Sequence, residues 1–183
     1  MASNADVLKI ALPQLKTYEG CELSAYPDPL SPLGRALEVR GIRLADYEQF
    51  AGWRGLSGTP WTLGYGDANG HFPGDTCTQD AADAWLAGRC FKFMAQMDSF
   101  MPWWRKLDAV RGAALLCMVY QLGPGLEARF PHAMAALERS DYQAAVDGFL
   151  WADKPGGRPS LWAQQTRARA VAETQQLLTG VIA

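Results

Sequence analysis

The sequence of 183 residues has the length of one domain, and its 49% apolar and 11% aromatic shares are enough to form a hydrophobic core. This composition excludes disorder as a description of the whole chain. A net charge of −2 and a pI near 5.7 argue against a nucleic-acid-binding protein, because such proteins carry an excess of basic residues. The longest run without a charged residue, Gly112–Leu126, is interrupted by glycines and a proline, so we expect no stable membrane insertion.

The first predicted element is a helix within residues 1–20. Apolar residues recur there at helical spacing behind Ser3 or Asn4 as N-cap, and Gly20 is a stop signal. Pro13 interrupts the pattern, so the helix either kinks there or begins near it. Both alternatives leave Glu19 in the last turn.

A loop-rich β region is predicted over residues 21–74, where Gly, Pro, aromatic and β-branched residues dominate. Its two predicted strands are Leu23–Tyr26 and Trp61–Tyr65. The segment between them, about residues 29–60, has glycine-flanked patches and a possible short helix over Leu44–Ala51. The sequence does not indicate what this segment does.

The remainder, residues 75–183, is predicted to be helical. The central and most buried helix should be the second of this region, because its apolar residues cover much of its surface. The predicted helices, in chain order, are Thr78–Met97, Trp103–Leu122, Ala128–Glu138, Asp141–Trp151 and Ser160–Thr179. The fold class that follows is α+β and predominantly helical, with a small β lobe and a larger helical lobe in one domain over residues 1–183.

The cysteines and histidines argue against a metal centre. The cysteines form no closely spaced pair and have no accompanying histidine cluster, so we expect free thiols that act as small apolar residues. His71 and His132 each stand alone in the sequence. We therefore expect neither a metal nor a cofactor.

Three carboxylates lie close together in the sequence near the end of the first helix. Glu19 ends the helix, Glu22 lies in the following turn, and Asp28 follows the first predicted strand. Glycoside hydrolysis commonly uses two carboxyl groups on either side of the scissile bond, one as acid and one as base or nucleophile. Acids near turns are more often solvating or capping groups, so this spacing alone does not decide between the two interpretations.

Further motifs resemble those of the phage-type lysozymes, the endolysin family related to the lysozyme of phage T4. That family carries Glu, eight residues, Asp, five residues and Thr, with the Thr in a Gly-Tyr-Gly strand. Eight residues separate Glu19 from Asp28, but 33 separate Asp28 from Thr62, which implies an insertion of about 28. The motifs that carry the resemblance are Glu19-Gly20-x-x-Leu23-x-Ala25-Tyr26-x-Asp28, Trp61–Gly66, Gly74–Ala81, Met118–Gly123 and Trp162-Ala163-Gln164-Gln165-Thr166-x-x-Arg169-Ala170.

The resemblance implies a lysozyme-like fold and roles for three residues. Glu19 would be the general acid that protonates the glycosidic oxygen. Asp28 would stay ionised, and Thr62 would help it to hold the attacking water on the opposite face of the sugar. That arrangement is inverting, with carboxyl groups about 6.5–9.5 Å apart.

The resemblance also implies supporting residues. Arg169 corresponds to an arginine that pairs with the catalytic Glu, although Glu173, four residues on, is an alternative partner. Tyr120 and Gln121 are expected to face the saccharide. Asp67 stands where the family usually has His, and this departure leaves its role open.

His71, four residues after Asp67, is a possible compensation, but a solvated loop histidine is the favoured interpretation. Tryptophans at helical spacing are expected to lie in the core more often than to stack on sugar. They are Trp103, Trp104, Trp151 and Trp162.

These observations lead us to expect a monomeric muramidase whose partner is bacterial peptidoglycan. It would cut the β-1,4 bond between N-acetylmuramic acid and N-acetylglucosamine and cause host lysis. The N-terminus shows no secretory signal, so we expect the protein to wait in the host cytoplasm and to reach the periplasm and wall through a holin-dependent lesion. The alternatives are a catalytically reduced peptidoglycan-binding or phage structural module and a lytic transglycosylase.

Overall fold

The computed structural model describes residues 2–182. Its strands are β1 (Glu22–Pro27), β2 (Trp61–Gly64) and β3 (Asp67–His71). Its helices, in chain order, are α1 (Asn4–Glu19), α2 (Pro32–Glu38), α3 (Gln79–Phe100), α4 (Ala109–Leu122), α5 (Leu126–Arg129), α6 (Pro131–Glu138), α7 (Tyr142–Leu150), α8 (Leu161–Thr166) and α9 (Ala168–Thr179). Short 3₁₀ turns occupy Leu44–Gln49, Trp53–Gly55 and Pro102–Lys106.

The chain divides into two compact units. The β unit runs from Glu19 to Gly88, and the helical unit combines the residues up to Tyr18 with those from Arg89 onward. The β unit includes the first turns of α3. The prediction of an α+β, predominantly helical fold is confirmed.

The β unit is built on an antiparallel sheet in the order β1, β2, β3. Tyr26 lies opposite Thr62, and Pro27 lies opposite Trp61. Alternate side chains of a strand point to opposite faces, so Ala25, Trp61 and Leu63 share one face and Tyr26 and Thr62 share the other.

The segment over residues 29–60 supplies half of the buried residues of a hydrophobic cluster in the β unit. The buried members of this cluster are Ala25, Leu33, Leu37, Tyr47, Trp61 and Leu63. The Tyr47 ring stands edge-on to the ring of Trp61, with their centroids 4.8 Å apart. The short helix predicted over Leu44–Ala51 is a 3₁₀ turn over Leu44–Gln49, and α2 was not predicted although Ser31 and Pro32 form a typical helix start.

Strand β3 was also not predicted. Its sequence, Asp-Ala-Asn-Gly-His, contains poor strand formers. The strand forms because Gly66, at φ +84°, turns the chain back so that β3 pairs with β2. Tertiary pairing therefore overrides local propensity here.

The helical unit is centred on α4, whose residues from Gly112 to Tyr120 are all buried. This confirms that the central helix is the most buried one. The predicted start near Trp103 is wrong, because the chain first makes a 3₁₀ turn over Pro102–Lys106. Asp108 then caps α4 by accepting a hydrogen bond from the Arg111 amide.

The C-terminal helices are shorter than predicted. The segment predicted over Ser160–Thr179 is two helices, because Arg167 takes φ +46° between α8 and α9. The segment predicted over Ala128–Glu138 divides into α5 and α6 at Phe130, where Pro131 starts the second helix. α3 extends to Phe100, a few residues beyond its predicted end near Met97.

None of the helices within residues 2–182 is both long enough and apolar enough to cross a membrane.

Candidate functional site

Glu19 is the last residue of α1 and is exposed. The helix stops there because Gly20 takes φ +68°, a left-handed conformation that favours glycine. The chain then enters β1 two residues later. The end of the helix and the start of the sheet thus bring the first predicted catalytic residue to the edge of the β unit.

Tyr26, Asp28 and Thr62 are brought together by the register of β1 and β2. Tyr26 and Thr62 are directly opposite each other, which puts their Cβ atoms about 5 Å apart on one face. Asp28 follows the strand two residues after Tyr26 and is half-buried, whereas Thr62 is only 9% exposed. The predicted base and its predicted hydroxyl partner therefore lie beside the same tyrosine.

Asp28 is held mainly through its main chain. Its amide donates to the carbonyl oxygens of Gly58, at 2.9 Å, and Pro60, at 3.0 Å. Its Oδ1 accepts a 2.7 Å hydrogen bond from the Leu30 amide. These contacts fix the direction of the carboxylate.

The pKa of Tyr26 is raised by its surroundings. Burial raises the pKa of Tyr26, and the negative charges of Glu22, Glu19 and Asp28 raise it further. All three acids thus act on one phenol, which keeps its proton in the neutral range. Sequence analysis used Tyr26 only as part of a motif, and alternation along β1 was the signal that could have assigned it to the site.

Asp67 and His71 form a pair at the two ends of β3. The His71 Nε2 and the Asp67 Oδ2 are 2.9 Å apart, and the His71 side chain is only 13% exposed. The His71 ring also lies against Trp85, with the centroids 5.6 Å apart. The interpretation of His71 as a solvated loop histidine is therefore wrong, because the hairpin turns it toward Asp67.

Tyr65 is a further polar centre that sequence analysis did not assign. Its hydroxyl donates to Asp83 at 3.0 Å and accepts from Gln79 at 2.9 Å, so it ties the turn after β2 to α3. Burial and this bond to Asp83 raise the pKa of Tyr65 to about 12. Tyr65 therefore serves as a neutral hydrogen-bond donor within the β unit.

Arg169 lies in the helical unit beside the last turn of α1, and its side chain is 10% exposed. Its Nε donates to Glu173 at 2.8 Å, and its Nη2 donates to the Cys117 carbonyl at 3.1 Å. Its guanidinium lies 4.7 Å from the ring centre of Tyr18, the residue that precedes Glu19. The alternative partner Glu173 is confirmed, and the pairing of Arg169 with Glu19 stays a prediction.

Tyr120 and Gln121 differ in exposure at the end of α4. Tyr120 is only 7% exposed, and the Arg89 guanidinium lies 4.8 Å from its ring centre. Gln121 is exposed, and its Oε1 accepts a 2.9 Å hydrogen bond from the Trp162 indole. Their contacts with a saccharide stay predictions.

The tryptophans follow the expectation in part. Trp104 and Trp162 are buried in the helical unit, at 2% and 4% exposure. Trp151 lines a cavity of about 630 Å³ together with Phe130, His132 and Lys154. Trp104 and Trp162 are therefore core residues, as expected.

The four cysteines are free thiols, as expected. Cys90 and Cys117 are buried, and burial raises the pKa of Cys90 to about 12. Within residues 2–182, no group of three His, Cys, Asp or Glu side chains is arranged to hold a metal ion.

The chain matches the family model described as phage lysozyme over residues 37–171. This range includes Thr62, Asp67 and Arg169 and begins after Glu19 and Asp28. The chain is also 35% identical, over 79 residues, to the pre-baseplate central spike protein Gp5 of Enterobacteria phage T4. That alignment covers 43% of this chain and 12% of the spike protein, so the chain spans only a small part of that relative. With most of its length matched by the family model, the chain belongs to the phage lysozyme family.

Proposed function

We propose that the protein is a muramidase that hydrolyses the β-1,4 bond between N-acetylmuramic acid and N-acetylglucosamine with inversion. The observation that carries this proposal is the grouping of Asp28 and Thr62 around Tyr26, whose pKa also responds to Glu19. Membership of the phage lysozyme family supports the same class of substrate.

The proposed reaction uses three side chains. Glu19 gives its proton to the glycosidic oxygen as the bond from that oxygen to the anomeric carbon breaks. Asp28 accepts a proton from the attacking water, whose oxygen forms the new bond on the opposite face of the sugar ring. The Thr62 hydroxyl can both donate and accept, so it orients this water toward the anomeric carbon.

The supporting residues have less direct roles in this proposal. Tyr26 keeps its proton, because burial and the nearby acids raise its pKa. The pairing of Arg169 with the catalytic Glu19 is also part of this proposal. Gln121 is proposed to contact the saccharide, held in place by Trp162.

The experiment is digestion of purified peptidoglycan followed by mass analysis of the fragments. Reducing muramic-acid ends support hydrolysis, anhydro ends indicate a lytic transglycosylase, and an intact glycan would refute the enzymatic proposal. Early NMR spectra of the product give the anomer and hence test inversion. Glu19→Gln should abolish activity with little loss of stability, because Glu19 is exposed. Glu38→Gln is the matched control, since it removes the same charge from an exposed residue that is not among the acids around Tyr26.

A phage structural module is the second candidate, favoured by the similarity to a pre-baseplate central spike protein. Such a module would bind the wall or its phage partners, with reduced catalysis or none. Co-sedimentation with intact sacculi, measured beside the digestion, separates the two candidates. Binding without glycan cleavage would favour the structural module.

The monomeric state and the holin-dependent route to the wall also stay proposals. Light scattering checks the first. Expression in host cells with and without a holin checks the second, since lysis without a holin would contradict it.

A further inference from the structure

The segment over residues 29–60, called the insertion because the sequence predicts it to be one, packs on one face of the sheet. Leu33 and Leu37 of α2 and Tyr47 of the following 3₁₀ turn are buried against Trp61 and Leu63. Thr62 points to the other face, because neighbouring side chains of a strand alternate. The insertion therefore supports the sheet from behind the candidate catalytic residues within the β unit.

The first turn of the insertion is bonded to the carbonyl oxygen of Asp28. The Ser31 hydroxyl donates to that oxygen at 2.6 Å, and the Ser31 amide donates to it at 3.0 Å. The same hydroxyl accepts a 2.9 Å hydrogen bond from the Gly34 amide and so caps α2. Ser31 is only 5% exposed, so water has little access to these bonds.

The last residues of the insertion bond to the amide of the same residue. The carbonyl oxygens of Gly58 and Pro60 accept from the Asp28 amide, and the Ser57 carbonyl accepts from the Leu33 amide. Both ends of the insertion thus meet at Asp28. Displacing either end would move the residue that carries the predicted base.

Gly34 packs closely against the main chain of Asp28 and Pro29. A Cβ atom built on Gly34 would lie 2.2 Å from the Asp28 carbonyl oxygen and 2.7 Å from that of Pro29. Both neighbours are main-chain atoms, which cannot rotate away as a side chain can. The absence of a side chain at Gly34 therefore lets α2 approach the Asp28 peptide.

We propose that the insertion positions the Asp28 carboxylate and that Ser31 is its principal positioning residue. This inference rests on the proposed function only for the role of Asp28 in catalysis. The contacts predict that loss of the Ser31 hydroxyl removes the shorter of the two hydrogen bonds from Ser31 to the Asp28 carbonyl oxygen and loosens the first turn of α2. The carboxylate then samples directions that do not point to the water.

The test compares Ser31→Ala with Ser160→Ala. Ser160 is a matched control, because its hydroxyl also donates to a carbonyl, that of Phe149, at 2.6 Å and caps a short helix. It is buried to the same degree, at 6% exposure, but has no bond to Asp28. We expect Ser31→Ala to lower kcat about 10- to 100-fold with KM nearly unchanged, and Ser160→Ala to leave kcat near the wild-type value. Ser31→Thr, which retains the hydroxyl, should keep most of kcat.

Equal kcat values for Ser31→Ala and the wild type would overturn the proposal, as would equal losses of kcat in Ser31→Ala and Ser160→Ala. Hydrogen exchange of the wild type is a second test that needs neither a variant nor activity. The amides of Asp28 and Ser31 should exchange as slowly as those of paired residues in the sheet, and fast exchange would overturn the proposal. If the wild type fails to cut peptidoglycan, the muramidase proposal fails while slow exchange still supports the positioning role.

Discussion

In the helical unit Arg169 and Glu173 are buried against each other, whereas in the β unit Asp28 is half-buried and held by main-chain groups. The first arrangement neutralises charge inside a core, where an uncompensated charge is costly. The second leaves a carboxylate able to act on a substrate while its peptide stays fixed. The hydrogen bonds of Asp28 therefore orient a carboxylate, whereas those between Arg169 and Glu173 neutralise charge.

The strongest way to break this comparison is to remove the buried carboxylate from the helical unit. Glu173→Ala should lower the free energy of unfolding by about 3–5 kcal/mol, because Arg169 stays buried without that carboxylate. Urea denaturation measures the loss. Glu173→Gln is the control that keeps the shape of the side chain, and it should cost less. A loss below about 1 kcal/mol in the alanine variant would show that the pair is not needed for neutralisation.

The next largest effect tests whether the segment over residues 29–60 belongs to the hydrophobic core of the β unit. Leu37→Ala should destabilise the protein by about 2–5 kcal/mol, since Leu37 is fully buried in the β unit. Val39, two residues further on, is 86% exposed, so Val39→Ala should change stability by no more than about 0.5 kcal/mol. Thermal unfolding followed by tryptophan fluorescence compares the two. Similar effects of both variants would mean that the insertion does not belong to the core.

A smaller effect concerns acid stability in the helical unit. Asp98 accepts hydrogen bonds from Arg105, at 2.6 Å, and from the Trp104 indole, at 2.8 Å, and the bond from Arg105 is the main cause of its lowered pKa. The resulting stability is present above the unfolded value of 3.8 and is lost as the pH falls through the folded pKa. Asp98→Asn should therefore flatten the fall of unfolding free energy between about pH 5 and pH 2.

Denaturation midpoints over this pH range measure the slope for Asp98→Asn and the wild type. Arg105→Gln is the companion variant, because it removes the main cause of the shift and should flatten the slope in the same way. An unchanged slope in both variants would contradict the assignment.

The smallest effect tests whether Glu19 lies close enough to Tyr26 to raise its pKa. Glu19→Gln should lower the pKa of Tyr26 toward its ordinary value of 10.0, because one of the negative charges that raise it is removed. Since a raised tyrosine pKa stabilises the fold below pH 10.0 and this contribution is lost at higher pH, the variant should lose it at lower pH than the wild type. Ultraviolet absorbance of the phenolate gives the titration.

Tyr26→Phe serves as the spectral reference for this titration. Glu38→Gln is the charge control, since Glu38 is not among the acids that shift Tyr26. Identical Tyr26 titrations in Glu19→Gln and the wild type would place Glu19 too far from the tyrosine to act with it.

Sequence patterns predicted those parts of the fold that have local causes. Gly20 ended α1 as expected, and Asp141 capped α7 as the predicted start of that helix. The end of α8 at Arg167 had no such signal, because a positive φ at a residue other than glycine is imposed by the surroundings. Strand β3 escaped prediction for a similar reason, since its pairing with β2 and not its composition forms it.

The candidate site was predictable as a set of residues and not as an arrangement. Spacing in the chain indicated Glu19, Asp28 and Thr62, but their common neighbour Tyr26 follows only from the strand register. The pairing of His71 with Asp67 likewise depends on a hairpin that sequence analysis did not predict. The arrangement of the site depends on contacts between distant parts of the chain, which a sequence motif does not specify.

The register of Pro27 with Trp61 has a consequence for how such chains can change in length. Since β1 and β2 pair right up to the ends of the intervening segment, residues can be added or removed there without turning Tyr26 or Thr62 to the opposite face. A single residue added inside β1 would instead turn the side chains on one side of it to the opposite face. Changes of length between the strands preserve the face of Tyr26 and Thr62, but they keep Asp28 in place only if they leave its bonds to Ser31, Gly58 and Pro60 intact.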